Sequence, residues 1–309
     1  MLQKASEWVL FPLTFAGQKR LGAYILLAVS QVITDKRSET MKFSFSTLGC
    51  PDWPLEKVVS EAKRLGYDGV EIRGVKRVFD LSKAPEFARG EIERTRKLFE
   101  SAGVSVVSID SSSSFCSPDA ANQEAAFDEA VRHIDIAAAM GARIMRVFGG
   151  NIPEGEPREK WAKILADSLR RVGKAAAGKD VSVAIESHDS WARCDELVPV
   201  VKAVGSKNVR ILWDMGNSFA KGESFAEGAP LVRDYVVHVH IKDHTADGKE
   251  AMLGKGVVPL ADALKTLKSI GFDGYVSLEW EKAWQPQIEE PEVALPQAIR
   301  FLRALDQTT

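Results

Sequence analysis

From Met41 onward the chain alternates between two hydrophobic periods. Short runs with apolar residues at every second position read as strands; longer runs with apolar residues three and four apart read as helices. Strands are predicted at Phe43–Thr47, Gly69–Arg73, Val104–Ile109, Arg143–Phe148, Val181–Glu186, Asn208–Trp213, Val236–Lys242 and Tyr275–Trp280. Helices are predicted between and after them, at Pro54–Leu65, about 88–102, Asn122–Met140, Glu156–Ala177, Cys194–Val204, Glu223–Arg233, Pro259–Ile270 and Pro291–Leu305. In the first helix Leu55, Val58, Val59, Ala62 and Leu65 share one face, with proline in the first turn. Gly66, Gly103, Gly141 and Gly271 stand where four of these helices stop. The hydroxyl-rich stretch Ser111–Pro118 reads as a loop. Eight strand–helix pairs in an α/β chain of this size predict a (β/α)₈ TIM barrel, a single domain over 41–309. A doubly wound sheet uses similar units, but no G-x-G-x-x-G follows a strand and polar residues stand at many strand ends.

Residues 1–40 break the pattern. Lys19-Arg20 precede the apolar run Leu21–Val29, which is too short to span a bilayer. The stretch is expected to be an N-terminal extension outside the barrel; a cleaved export signal is the alternative.

The net charge is −2, so no basic field for nucleic acid is present. Cys50, Cys116 and Cys194 are far apart and odd in number. They fit no disulfide framework and no zinc knuckle, so a cytoplasmic location is expected, with export only if residues 1–40 are a signal. No membrane partner is expected, and self-association as a homo-oligomer is left open.

The chemistry gathers at the strand ends. In Val236–Asp243, His238, His240 and Lys242 share one strand face, a costly arrangement unless they are paired or bind something. Three neighbouring strands end in a carboxylate: Glu186, Asp214 and Glu279. In a barrel those ends form one mouth, so Glu186, Asp214, His240 and Glu279 can converge on a divalent metal ion. Three oxygen ligands and one nitrogen suit Mn²⁺ first, then Mg²⁺ or Co²⁺; Zn²⁺ usually takes more nitrogen or sulfur. Around this set, His188 reads as a group for a substrate hydroxyl. Lys242 reads as a holder of a substrate carboxylate or phosphate, or as the partner of a nearby acid. Glu71 and Arg146 either line the pocket or pair with each other. Asp243 and His244 are expected to orient His240 from behind. Trp53, Phe115 and Trp191 lie on loops over the mouth. The long connection after Glu279, Trp280–Glu290, reads as a lid or a subunit contact.

Six segments carry a resemblance: Gly66–Glu71, Glu186-Ser187-His188, Trp213–Asn217, His238–Asp243, Leu253–Gly256, and Gly271–Tyr275 leading to Leu278-Glu279. With these the chain resembles the xylose-isomerase-like barrel superfamily, in its sugar-phosphate isomerase/epimerase branch (tagatose-3-epimerase-like). The resemblance implies that Glu186, Asp214, His240 and Glu279 hold one divalent metal, with His240 taken over His238 because it lies nearer the strand's C-terminal end. It implies a small-molecule sugar substrate, a cis-enediolate, and Glu186 and Glu279 as bases on opposite faces of one carbon. Epimerases of this type usually carry histidine three residues after the Asp ligand; here Asn217 stands there, able to bond a sugar hydroxyl but not to exchange protons. Two further readings stay open: a metal-dependent dehydratase of a polyol or keto-cyclitol, like inosose or dehydroshikimate dehydratase, and a barrel that binds sugar without turnover.

Overall fold

The structure, a computed structural model, describes residues 40–309. The reading of residues 1–40 as an extension or export signal lies outside the described residues, apart from Thr40. Eight parallel strands close into a barrel: β1 (Lys42–Ser46), β2 (Gly69–Ile72), β3 (Ser105–Ser114), β4 (Ile144–Phe148), β5 (Ser182–Glu186), β6 (Val209–Asp214), β7 (Val236–Ile241) and β8 (Tyr275–Leu278). Each pairs with its neighbours in sequence, and β1 closes the ring on β8 through Phe43 opposite Val276. The outer helices are α1 (Leu55–Leu65), α2 (Ile92–Ala102), α3 (Ala120–Met140), α4 (Arg158–Ala175), α5 (Cys194–Val204), α6 (Met215–Ala220), α7 (Phe225–Val232), α8 (Leu260–Ser269) and α9 (Pro291–Asp306). Among the described residues no helix is long and apolar enough to cross a membrane.

Local chemistry explains most of these limits. Gly66, Gly103, Gly141 and Gly271 all have φ between 69° and 83°, the left-handed turn that ends a helix and feeds the next strand. Two elements depart from expectation. β3 runs on to Ser114, through part of the predicted loop, because Ser111 Oγ donates to Arg146 O at 2.8 Å and keeps the chain along β4. The short α6 was not expected. Asp214 starts it by accepting from the Asn217 N–H at 2.8 Å, so one aspartate both ends β6 and caps the next turn.

The main apolar core lies between strands and helices. Inside the barrel a small apolar cluster, Ile144, Ala184 and Leu212 with Val237 against it, forms a floor. Each of the first three stands two residues before Arg146, Glu186 and Asp214, so the polar layer sits directly above it on the same strand faces.

Asp243 does not orient His240. It falls on the outward parity of β7, and its carboxylate accepts from the N–H groups of His244 and Gly254 at 2.9 Å, Gly256 at 2.9 Å and Val258 at 3.1 Å. It thus holds the Leu253–Val258 loop, and Gly256 is required there: a Cβ would come within 2.2 Å of Asp243 Oδ1. His244 bonds Thr245 O at 3.0 Å, also away from His240. Asp243→Ala is expected to cost about 1–3 kcal/mol in urea unfolding, the penalty of orphaning these donors, while bound metal per chain stays unchanged. Loss of metal with intact stability would return Asp243 to the site.

Candidate metal centre

β5, β6, β7 and β8 are adjacent around the barrel, so residues at their ends face one another. Asp214 pairs in register with His240, and His240 with Ser277, two residues before Glu279. One ligand-type atom from each of Glu186, Asp214, His240 and Glu279 lies within 4.8 Å of the others. His240 Nδ1 stands 3.4 Å from Glu279 Oε1, 3.6 Å from Glu186 Oε1 and 3.9 Å from Asp214 Oδ2. The four side chains are buried, Glu279 the least so at 6% exposed.

The orientation of His240 is fixed from across the barrel. Glu71 Oε2, from β2, accepts from His240 Nε2 at 2.7 Å and from His238 Nε2 at 2.6 Å. The other ring nitrogen of His238 faces Tyr275 O at 3.1 Å. With Nε2 of His240 spoken for by a carboxylate, Nδ1 is the ring nitrogen that faces the three acids and could ligate an ion held among them. Glu71 therefore does not pair with Arg146, one of the two expected arrangements. Arg146 instead lies between Asp110 Oδ2 at 3.4 Å and Glu186 Oε2 at 3.2 Å, and donates to Ser111 O at 2.9 Å. Glu71 and Arg146 are 0% and 1% exposed, beneath the mouth rather than open to it.

Lys242 takes the second of the expected alternatives. Its ammonium lies 2.7 Å from Glu279 Oε2, 2.8 Å from Asp214 Oδ2 and 3.4 Å from Glu281 Oε1. It bonds the Glu279 oxygen that points away from His240, so Glu279 Oε1 faces the cluster. Asn217 Nδ2 donates to Ser187 O at 3.3 Å. His188 packs on Phe148, centroids 4.9 Å apart, and faces Asp189 Oδ1 at 3.1 Å. Burial opposes its charge, but Asp189 and Glu186 raise its pKa to about 9. Trp191, expected over the mouth, is fully buried, and Phe115 is 1% exposed.

The donor set fits a divalent cation. Glu186 Oε1 and Oε2, Asp214 Oδ2 and His240 Nδ1 are buried without a hydrogen-bond partner; the contacts of Arg146 and Lys242 with them are ionic but off hydrogen-bond geometry. Burial pushes the Asp214 carboxyl up to about 7 against the pull of Lys242, with Glu279 and Glu186 adding to the push. Burial disfavours charge on His240, yet Glu71, Glu279 and Glu186 raise its affinity for a proton well above normal. That surplus negative field is what an ion of charge +2 would take up.

Two acids went unnoticed in the sequence. Asp110 lies mid-strand in a serine run, and burial next to Glu71 raises its pKa to about 8. Glu250, in a two-residue strand that pairs with Asp243-His244, accepts from Glu281 N at 2.9 Å and Gln285 Nε2 at 2.9 Å. It lines a cavity of about 190 Å³ with Asn217, Lys242, His244, Glu281 and Gln285, beside the cluster. A larger cavity of about 560 Å³ lies outside the barrel between α4 and α5; Trp191 lines it, but none of Glu186, Asp214, His240 and Glu279 does.

Residues 59–305 match the family model described as xylose isomerase-like TIM barrel. The chain belongs to this family. Within it, the chain is 23% identical over 279 residues to fructoselysine 3-epimerase of Shigella flexneri, covering 86% of this chain and 98% of that one. It is 22% identical over 282 residues to inosose dehydratase of Clostridium beijerinckii, covering 81% and 89%. An uncharacterized protein of Methanocaldococcus jannaschii, MJ1311, is 24% identical over a shorter stretch of 161 residues, 47% of this chain and 53% of that protein. Among solved structures, L-ribulose 3-epimerase superposes with a TM-score of 0.73 at 16% identity, covering 87% of this chain and 95% of the other. The IOLI protein with a zinc atom superposes with a TM-score of 0.71 at 19% identity, covering 86% and 96%. The probable 3-DHS dehydratase AsbF of Bacillus anthracis gives 0.71 at 15% identity, covering 85% and 98%. At these identities the structural likenesses speak for the fold, which the family shares between epimerases and dehydratases.

Proposed function

We propose that this family member is a divalent-metal-dependent isomerase or epimerase of a sugar or sugar derivative. Glu186, Asp214, His240 and Glu279 hold the ion, and Glu186 and Glu279 exchange a proton on the substrate carbon next to a carbonyl. The observation that carries this reading is the convergence of four buried donor groups, three of them with atoms lacking hydrogen-bond partners, at the mouth end of one barrel. When bound, the ion supplies Lewis-acid stabilisation of negative charge on the substrate oxygens. Mn²⁺ is the proposed ion on donor chemistry, with Zn²⁺ kept in the test because a structural relative carries it.

The protein groups do the rest. A general base must be ionised at working pH. Burial and Glu279 work against charge on Glu186, but Arg146 and His240 outweigh them and lower its pKa. Burial also opposes charge on Glu279, and there Lys242 and His240 prevail. Each proposed base thus has its own cation, on a different side of the cluster: Arg146 from β4 for Glu186, Lys242 from the end of β7 for Glu279. Asn217 and His188, just beyond the ends of β6 and β5, are the proposed partners of substrate hydroxyls.

The test combines elemental analysis with deuterium wash-in from D₂O across a panel of ketoses. Metal per chain near one, with exchange at a single carbon, supports the reading; tight sugar binding with no exchange and no metal defeats it. Stripping metal with EDTA and restoring Mn²⁺ is expected to raise unfolding stability by about 2.7 kcal/mol at 100 times Kd, visible as a rise in Tm. A flat Tm across the Mn²⁺ titration would remove the metal from the proposal.

Loss of water is the second reading, favoured by the similarity to inosose dehydratase and by Asn217 standing where epimerases usually have histidine. Incubation with inosose and appearance of an enone absorbance would select it.

A further inference from the structure

One buried cation in the barrel has no anion of its own. Arg146 is met by Asp110 and Glu186, and Lys242 by Asp214, Glu279 and Glu281. Arg73 is not: among the described residues no carboxylate lies within ion-pair distance of it. It follows β2, two residues beyond Glu71, at the same end of the barrel as the carboxylate cluster, and is 6% exposed. Its side chain makes one hydrogen bond, from Nη2 to Ser112 Oγ at 2.8 Å, while Nη1 is buried with no partner. Its guanidinium packs against Phe79, 5.1 Å from the ring centroid, and Phe79 packs on Trp284 with centroids 4.5 Å apart. Trp284 is 51% exposed, so the Phe79–Trp284 pair that covers Arg73 stands at the rim. Burial, helped by Arg146, lowers the Arg73 pKa to about 10, which leaves a full charge at neutral pH.

A desolvated guanidinium with no carboxylate in contact is expensive to keep, and its fork is shaped for carboxylate or phosphate oxygens. We propose that Arg73 binds an anionic oxygen group of the substrate, a carboxylate, so that the substrate is a keto-sugar acid rather than a neutral ketose. This rests on the isomerase or epimerase reading above. A single negative charge suits the place better than a phosphate dianion, because Asp110, Glu129 and Glu186 already act on Arg73 from nearby. Lys242, the other candidate for this task, is already committed to three carboxylates.

Calorimetry on the Mn²⁺-loaded protein tests the assignment with matched ligands: D-tagaturonate against D-tagatose, D-fructuronate against D-fructose, and D-tagatose 6-phosphate. The acid of at least one pair is expected to bind the wild type roughly 10–100-fold more tightly than its neutral partner, the range of one charge-assisted bond. Arg73→Met should erase that preference and leave neutral-ketose affinity within about twofold, and Arg73→Lys should keep part of it. Equal binding of acid and neutral partner by the wild type overturns the proposal, and that comparison needs no variant to fold. So does a preference that survives in Arg73→Met. A stronger preference for the 6-phosphate overturns the carboxylate in favour of phosphate. Exchange on neutral ketoses with no acid preference removes Arg73 and keeps the isomerase reading; Arg73-dependent uronate binding without metal or exchange does the reverse.

Discussion

Glu186→Gln and Glu279→Gln are each expected to lower deuterium wash-in by about 10²–10⁴-fold, measured at saturating Mn²⁺ on the ketose that the wild type exchanges. Glutamine keeps the shape of each side chain and removes the proton-accepting oxygen. Saturating metal matters, because each residue is also proposed to hold the ion, and weaker occupancy alone would mimic a lost base. The effects should be equally severe for a physical reason. Each carboxylate is buried and has its own cation, Arg146 at 3.2 Å for Glu186 and Lys242 at 2.7 Å for Glu279, so neither can stand in for the other from its own side. Asp214 is the useful contrast. Its Oδ1 is bound to the Asn217 N–H as a helix cap, which leaves only Oδ2 to face the cluster, so its proposed task is to hold the ion. Normal exchange in either variant, with metal bound, would end the two-base assignment.

The barrel was legible because period two and period 3.6 alternate cleanly after Met41, and the mouth was legible because polar residues close four successive strands. Contacts running across the barrel were not legible. Glu71 is 169 residues away from His240, and nothing local to either says that they touch. Asp243 is three residues from His240 and looked like its natural support, yet strand parity turns it outward, where backbone N–H groups of a loop claim it. Asp110 was hidden by its serines, which read as loop while the backbone stays in the sheet. Arg73 was read as the end of a strand because a lone arginine in sequence carries no sign of whether an acid waits for it. Sequence proximity is a poor guide to the support of a barrel site, since the supporting group comes as readily from the opposite wall as from the same strand.

Glu71→Gln is the sharpest test of that opposite-wall support, with an expected loss of about 10–100-fold in Mn²⁺ affinity while the four proposed ligands stay in place. The Glu71 carboxylate oxygen accepts from two imidazoles at once, at 2.6 and 2.7 Å. A glutamine amide can accept with its oxygen, but its nitrogen only donates, so it no longer supplies the negative charge that both ring N–H groups face. The amide oxygen can still meet both ring N–H groups, but without the charge that fixes the tautomer of His240. If His240 shifts its proton to Nδ1, the nitrogen facing Glu186 and Glu279 becomes a donor and ceases to be a metal ligand. Removing the Glu71 charge also weakens the field that favours a cation at His240, in the same direction. Stability will fall as well, since the pair of buried histidines loses its shared negative charge, so affinity should be measured by titration on protein shown by circular dichroism to be folded. An unchanged Mn²⁺ affinity in that folded variant would mean that His240 either does not bind the ion or needs no partner behind it. His240→Ala decides between these: if it too leaves affinity intact, His240 is not a ligand at all.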